Sequence, residues 1–588
     1  MDIFSVFSLL GGLAFFLYGM NIMSAGLEKM VGSKLESVLK SMTSNRFKGL
    51  LLGTAITAVI QSSSAVTVML VGLVNSGIMK FSQSIGVIMG TNIGTTITAW
   101  ILSLAGIESD NMFVRLLKPE SFTPLLALVG IILISFVKNP KKKDLGSILL
   151  GFALLMTGMS MMSGAMKPLS EMPAFRDILT MFSNPIFGIL TGLVITAIIQ
   201  SSSASVGILQ SIAITGSLTY GAALPIIMGQ NIGTCITSLI SSVGANKNAK
   251  RVTAVHILFN VIGTVLLMGI YFILNSIFQF AIVKEAATPV GIAVIHSAFN
   301  ITTTFVLFPF GKGLEKLAKL IIKDKSNKEV EYELLDERLL ITPSFAIAEC
   351  RNVTGKMAKI VRSSILSSID LISHYDPKVI KQINDGEEEI DFYEDKLGSY
   401  LVKLSAKSLT MDDSNEVAEL LHAIGDFERI GDHAINLAEV AQEIHDKKLA
   451  FSADAIDELN TMTRAVKEIL NLTFDAFDTN DYELARKVEP LEQVIDTLKL
   501  ELKKRHVRRL QSGKCTIELG FVLSDILTNY ERVSDHCSNI AVYILQVKDT
   551  DIEAHEYLSE LKSTNNAAFI SKYEEFKHEY VLPASRKS

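Results

Sequence analysis

The sequence places one polar interruption twice inside apolar surroundings, as "AVIQSSSAVTVML" at 58–70 and "AIIQSSSASVGIL" at 197–209. The copies lie 139 residues apart, and the register holds without a gap for about 80 residues. Gly19-Met20 returns as Gly158-Met159, Asn45 as Asn184, and "GLLLGTAITAVIQSSSA" (49–65) as "GILTGLVITAIIQSSSA" (188–204). "GTNIGTTIT" (90–98) returns as "GQNIGTCIT" (229–237). Whatever one copy folds into, the other must fold into as well. A helical array would also repeat, but polar knots inside apolar runs point to duplicated membrane units that hold a substrate where they meet.

Charge divides the 588 residues in two. Residues 1–310 carry 18 Lys/Arg and 10 Asp/Glu, whereas 311–588 carry 37 and 51, so the parts are net +8 and −14. That asymmetry marks a membrane half joined to a soluble, acidic half and argues against a nucleic-acid binder. Met1-Asp2 lacks the basic flank and cleavage site of a signal peptide, so the apolar stretch 3–27 reads as a retained span. Cys235, Cys350, Cys515 and Cys537 form no CxxC pair, which suggests a reducing, cytosolic setting without a disulfide framework.

A membrane span needs about 20 apolar residues. Beside each QSSS the runs are shorter, at 49–60 with 65–79 and at 188–199 with 204–216, so each pair reads as a re-entrant hairpin with the knot at its tip. Full crossings fit 5–27, 82–107, 120–137, 145–166, 221–244, 253–278 and 287–310. Seven crossings put the termini on opposite sides. With the N-terminus outside, the basic loops 28–48, 138–144 and 245–251 fall inside, as the positive-inside rule requires, together with Lys312, Lys316, Lys319 and Lys323. The same topology makes the units inverted.

Away from their ends these segments carry no Asp, Glu, Lys or Arg. Their polarity is hydroxyl and amide: Gln61, Ser62, Ser63, Ser64, Asn92, Thr95 and Thr96, with twins Gln200, Ser201, Ser202, Ser203, Asn231 and Thr234. A hairpin tip at membrane depth exposes amides at the start of its second helix, where the dipole favours an anion. Serine hydroxyls there donate to phosphate-like oxygens or accept from a cation. Asn, Gln and Thr oxygens suit Na⁺, and helices broken around Gly90–Gly94 and Gly229–Gly233 would add free carbonyls. The alternative is interhelical glue, with Gly90-x-x-x-Gly94 as a close-packing spacing. Four consecutive polar residues duplicated in register, with a duplicated Asn/Gly element, favour a site.

With these residues the chain resembles the Na⁺/phosphate cotransporter family, whose hallmark is a pair of inverted units each bearing QSSS. The resemblance covers about 1–310. It implies that the hairpins, through Gln61–Ser64 and Gln200–Ser203, form the phosphate and sodium sites; Asn92, Thr95, Asn231 and Thr234 are assigned to sodium from the chemistry of their oxygens. The family's later histidine-and-asparagine element is matched by "HILFN" (His256, Asn260) and "HSAFN" (His296, Asn300).

The soluble half repeats too: "ERIGDHAINLA" (428–438) recurs as "ERVSDHCSNIA" (531–541), 103 residues on. Apolar residues around both copies follow helical spacing, which predicts two three-helix units packed as a bundle. This half resembles a PhoU domain, whose metal-binding E-x-x-x-D element maps onto Glu428/Asp432 and Glu531/Asp535. Spacing i, i+4 sets each carboxylate pair on one helix face, suited to a divalent or transition metal. The alternative is a solvated acidic face.

The expected protein is all-α, with a membrane transport domain at 1–310 (repeat one about 5–137, repeat two about 145–278, final span 287–310). A linker at 311–344, a PhoU-like domain at 345–550 and a tail at 551–588 follow. No nucleotide cradle and no nucleophile–base constellation appear, so the chain does not read as an enzyme and an ion gradient must drive it. The expected function is sodium-coupled phosphate transport across the cytoplasmic membrane, with Na⁺ as coupling ion. The alternative is a membrane-tethered phosphate sensor without net transport. Partners are inorganic phosphate, sodium and the bilayer, with a homodimer or a phosphate-signalling protein as further partners and no nucleic acid.

The topology predicts that a cysteine introduced at 108–119 reacts with an impermeant external reagent and one at 138–144 does not. The reverse labelling pattern overturns both the seven crossings and the inversion.

Overall fold

In the computed structural model the chain is helical, and residues 3–31, 45–106, 118–170, 172–323, 335–407, 409–548 and 567–583 are described. Most of the loop at 108–119 and parts of 28–48, 311–344 and 551–588 lie outside them. The chain divides into two compact units, Met1–Phe345 and Ala346–Ser588.

The first unit opens with α1 (Ile3–Val31), followed by the pair α2 (Arg46–Ile60) and α3 (Ser63–Asn75), then α4 (Phe81–Ser103) and α5 (Pro119–Phe136). The second copy runs α6 (Pro140–Ser170), α7 (Pro173–Met181), the pair α8 (Pro185–Ile199) and α9 (Ser202–Ala213), α10 (Tyr220–Gly233) and α11 (Cys235–Ser241). Then come α12 (Lys247–Phe278), α13 (Pro289–Leu307) and α14 (Gly311–Ile321). Among the described residues six helices are long and apolar enough to cross a membrane: α1, α4, α6, α10 with α11, α12 and α13. The helix expected as a further crossing, α5, has 18 residues. Helices α2 and α8 have 15 residues each, about 22 Å, short of a hydrocarbon core about 30 Å thick.

Glycine lets the paired helices approach to backbone contact. A Cβ at Gly90 would lie 2.1 Å from Leu50 O, and one at its twin Gly229 would lie 2.0 Å from Ile189 O. The pairs α2/α4 and α8/α10 are therefore locked the same way in both copies. Helix α4 runs unbroken through Gly90–Gly94, contrary to the expected break, while the second copy is interrupted at Thr234, between α10 and α11. The glycines are spent on close packing, so their carbonyls stay within the helix. Gly12 and Gly19 of α1 meet α6 likewise, with Cβ positions 2.9 Å from Gly158 O and 2.6 Å from Gly151 O. Phe16, Met20, Met23, Leu155, Met156 and Met159 fill the seam around them.

The stretch read as a linker carries α14 and a 3₁₀ turn, Glu337–Ile341, that docks on the membrane unit. Leu339 is fully buried, and its side chain is 3.0 Å from where a Cβ at Gly72 would sit. Asp336 accepts from Asn75 Nδ2 at 2.7 Å and pairs with Arg338 at 2.7 Å. Arg338 also donates to Ser241 O (2.6 Å) and Val243 O (3.0 Å). The turn thus ties the end of α3 to the end of α11.

The second unit is built from α15 (Pro343–Leu371), α16 (Pro377–Ser405) and α17 (Met411–Asp446), then α18 (Ala453–Thr479), the short α19 (Tyr482–Ala485), α20 (Val488–Gln511) and α21 (Ile517–Lys548). Within the stretch read as a tail, α22 (Ala567–Glu579) is followed by the buried Tyr580, which bonds Glu468 of α18. The duplicated helices α17 and α21 meet about a local twofold. His433 donates to Asn529 at 2.8 Å, and its counterpart His536 donates to Asp426, the counterpart of Asn529, at 2.7 Å.

Gly90→Ala and Gly229→Ala should each destabilise the purified protein by about 2 kcal/mol or more, because the new methyl meets backbone that cannot yield. Gly269→Ala, with nothing within 4 Å of its Cβ, should be neutral. Equal thermal unfolding of all three variants contradicts the packing account.

Candidate functional site

Each short helix ends in the same strained turn. Gln61 and Gln200 hold left-handed backbone, with φ of 60° and 59°, which costs a non-glycine residue roughly 1 kcal/mol or more. Each glutamine N–H closes the helix behind it by donating to Thr57 O or Thr196 O. The next residue opens the following helix. Ser62 Oγ accepts from Ala65 N at 3.2 Å, and Ser201 Oγ accepts from Ala204 N at 3.2 Å. Ser63 and Ser202 stand at the first helical position, both 5% exposed. Ser64 and Ser203 follow in the same turn. Amides, hydroxyls and the positive ends of two helix dipoles therefore gather at the two tips, an arrangement that suits an oxyanion.

The tips differ in closure. Gln61 is buried, donates to Ala58 O and accepts from Thr98 Oγ1 of α4 at 2.7 Å. Gln200 is exposed. The second hairpin reaches α4 by another route, through Gln210 Nε2, which donates to Ala99 O (3.0 Å) and Pro289 O (2.9 Å). Both hairpins thus bear on α4.

Asn92 and Thr95 on α4, Asn231 on α10 and Thr234 at its end are all buried. Asn92 Nδ2 donates to Ile88 O and Asn231 Nδ2 to Ile227 O, each at 2.9 Å. Thr95 donates to Thr91 O and Thr234 to Gln230 O, also at 2.9 Å. With the donors turned back onto their own helices, each of the four oxygens keeps a lone pair for a further partner. This donor set fits a hard monovalent cation.

In the second unit the carboxylates gather differently from the expected pairs. Glu492, Asp496 and Asp535 bring oxygens within 4.8 Å of one another, while Glu531 is taken up by Lys499. Burial, then the charges of Glu531 and Asp496, hold the Asp535 carboxyl above its ordinary range. Around the other copy, Glu428 is raised by burial and then by Asp432, Asp391 and Glu394, and Glu387 by burial, Asp391 and Asp432. Helices α16 and α20 therefore bring acidic groups to the pairs on α17 and α21. The signal was present in the sequence: Glu387/Asp391 and Glu492/Asp496 repeat the E-x-x-x-D spacing one helix earlier in each copy. Three carboxylate oxygens within 4.8 Å of one another are a donor set that fits a hard cation.

Short polar-tipped helix pairs set among long apolar helices define a multi-pass membrane protein, here with an acidic helical domain attached. The profile of the Na⁺/Pi-cotransporter family matches residues 15–164 and again 154–288, and that of the PhoU domain matches 354–441 and 459–544. The chain belongs to the Na⁺/Pi-cotransporter family and carries a PhoU domain. It is 22% identical over 557 residues to YjbB of Escherichia coli (strain K12), named as a candidate inorganic phosphate exporter, covering 93% of this chain and 99% of that protein. It is 30% identical over 312 residues to the uncharacterized protein YqeW of Bacillus subtilis (strain 168), covering 53% and 96%. Over 110 residues it is 36% identical to the human sodium-dependent phosphate transport protein 2B, covering 18% and 16%.

Glu492→Gln with Asp535→Asn should lower the metal content of the purified protein at least about tenfold by mass spectrometry, while Glu531→Gln has little effect. A metal replaces protons on carboxyls that hold them more tightly than usual. Metal uptake should therefore weaken as pH falls, beginning above the ordinary carboxylate range. Unchanged metal content in the double variant removes the cluster as a site.

Proposed function

We propose that this protein moves inorganic phosphate across the cytoplasmic membrane in company with sodium, using two inverted units with the N-terminus outside and the PhoU domain in the cytosol. The observation that carries the reading is the pair of matching broken turns, each presenting a serine-capped helix start between short apolar helices. Phosphate binds at Gln61–Ser64 and Gln200–Ser203, and Na⁺ binds at the oxygens of Asn92, Thr95, Asn231 and Thr234. Net direction follows the imposed gradients.

The PhoU domain acts as a regulatory gate. Its connection to the membrane unit runs through the 3₁₀ turn whose Asp336 and Arg338 hold the ends of α3 and α11. A change in that turn bears directly on the first hairpin. Regulation requires the domain to favour one transporter state over another.

Radiolabelled phosphate flux into proteoliposomes should depend on sodium and fail when K⁺ or choline replaces it. Binding without flux identifies the membrane-tethered sensor instead. Ser63→Ala or Ser202→Ala should weaken phosphate or sodium affinity with normal insertion, and unchanged affinities in both place the site elsewhere. Truncation after Phe345 should keep sodium-driven flux and lose its response to phosphate on the cytosolic side. Complete loss of flux in a well-inserted truncation makes the domain part of the transport machine.

A further inference from the structure

Helix α14 (Gly311–Ile321) follows the apolar α13 directly and divides its surface three ways. At about 100° per residue, Gly311, Leu314 and Ala318 share one sector about 60° wide. All three are buried, and the helix packs on α12 and α4. Lys312, Lys316 and Lys319 share a second sector of about 60°. Leu317, Leu320 and Ile321 share the third, about 100° wide. The second and third sectors are exposed, Leu320 at 64% and Ile321 at 62%.

A surface helix that packs on its protein needs one apolar stripe. Here a second one lies beside a row of cations, and the exposed Lys323 extends that row. Of the four lysines, Lys319 alone pairs with a carboxylate among the described residues, Glu315 at 2.8 Å. Exposed apolar side chains also line the approach to α14, Ile301 and Phe305 on α13 and Phe310 at the turn.

The helix is tied down from several directions. Arg251, itself buried, donates from Nε and Nη2 to Ile322 O at 3.1 and 2.8 Å and so holds the C-terminal end. Glu315 accepts from Arg46 Nη2 of α2 at 3.4 Å. Phe308, just before α14, meets Phe47 of α2 edge-on, with ring centres 6.4 Å apart. Rolling the helix to bury its second apolar sector would break these ties. That sector is left to the surroundings.

We propose that α14 lies in the membrane interface and binds the headgroups of anionic phospholipids. Leu317, Leu320 and Ile321 enter the acyl boundary, while Lys312, Lys316, Lys319 and Lys323 reach past it to the lipid phosphates. An apolar sector and a cationic row about a third of a turn apart fit a surface that is apolar on one side and anionic on the other. A nucleic acid or an acidic peptide would satisfy the lysines and leave three aliphatic side chains in water. An apolar protein face would cover the aliphatic side chains and leave the lysines unanswered. Through Glu315 and Arg46, a bound headgroup sits beside the helix that leads to Gln61. The inference rests on the membrane class of the chain and not on phosphate transport.

The test uses the full chain with Trp100→Phe and Leu320→Trp, which leaves one tryptophan, placed in the apolar sector. It is set in nanodiscs of mixed phosphatidylcholine and phosphatidylglycerol, with brominated acyl chains on one lipid or the other. Bromine quenches tryptophan fluorescence at contact range. Quenching per brominated lipid should be about fivefold stronger for phosphatidylglycerol. Lys312→Gln, Lys316→Gln and Lys323→Gln together should remove that preference and keep quenching by both lipids. About 1 M salt, where screening acts within roughly 3 Å, should weaken the preference without any change to the lysines. Equal quenching by both lipids at low salt overturns the headgroup site. Quenching by neither shows that protein or water covers the sector and overturns the interfacial placement as well. If the triple variant does not fold, the salt series decides, and a preference unmoved by salt overturns the role of the lysines.

Discussion

An apolar helix that stops at a left-handed glutamine is the constraint on which the membrane unit depends. Had the helix ended in glycine, the turn would have cost little and offered no side chain. Had it not ended, its amides would be consumed within one long span. The break frees the first amides of the next helix, and a serine cap can satisfy only part of them. Membrane interiors tolerate such backbone only where protein or a polar ligand covers it. The same stop, made twice, therefore builds a polar place at each tip.

Small residues keep these short helices in position. At Gly53, Gly90, Gly192 and Gly229 neighbouring backbones come within the space a side chain would occupy. In lipid there is little hydrophobic force between helices, so close packing and buried hydrogen bonds hold such pairs together. Gln61 with Thr98, and Gln210 with Ala99 and Pro289, supply the polar ties that seat both hairpins on α4.

The acidic unit obeys a different balance. Its core is apolar, with Phe427, Ile430, Leu527 and Ile540 fully buried, and its duplication brings His433 and His536 together, ring centres 5.7 Å apart. Carboxylates are brought together at the helix faces beyond that core, where burial, and then repulsion, raise the proton affinity of Asp535 and Glu428. The 3₁₀ turn at Glu337–Ile341, which belongs to the membrane unit, is held there through one buried aspartate and one arginine that reaches two helix-end carbonyls.

Much was legible in the sequence because duplication and apolar run length are properties of the chain itself. The all-helical class and the polar-tipped short helix pairs both follow from spacing. What spacing could not settle is which neighbour each group meets. Gly90–Gly94 could mark either a break or a packing face, and only the approach of Leu50 O to Gly90 makes it the second. Glu531 shares its spacing with Asp535, but it meets Lys499, distant in sequence, while Glu492 and Asp496 of another helix come beside Asp535. Gln61 and Gln200 are identical in sequence context, yet one is buried on Thr98 and the other exposed. The sequence by itself determined the elements and the chemistry each carries, since periodicity and turn residues act within a few positions. Only the tertiary structure decided the partners, because hydrogen bonds and charge pairs between distant helices depend on how those helices are placed in space.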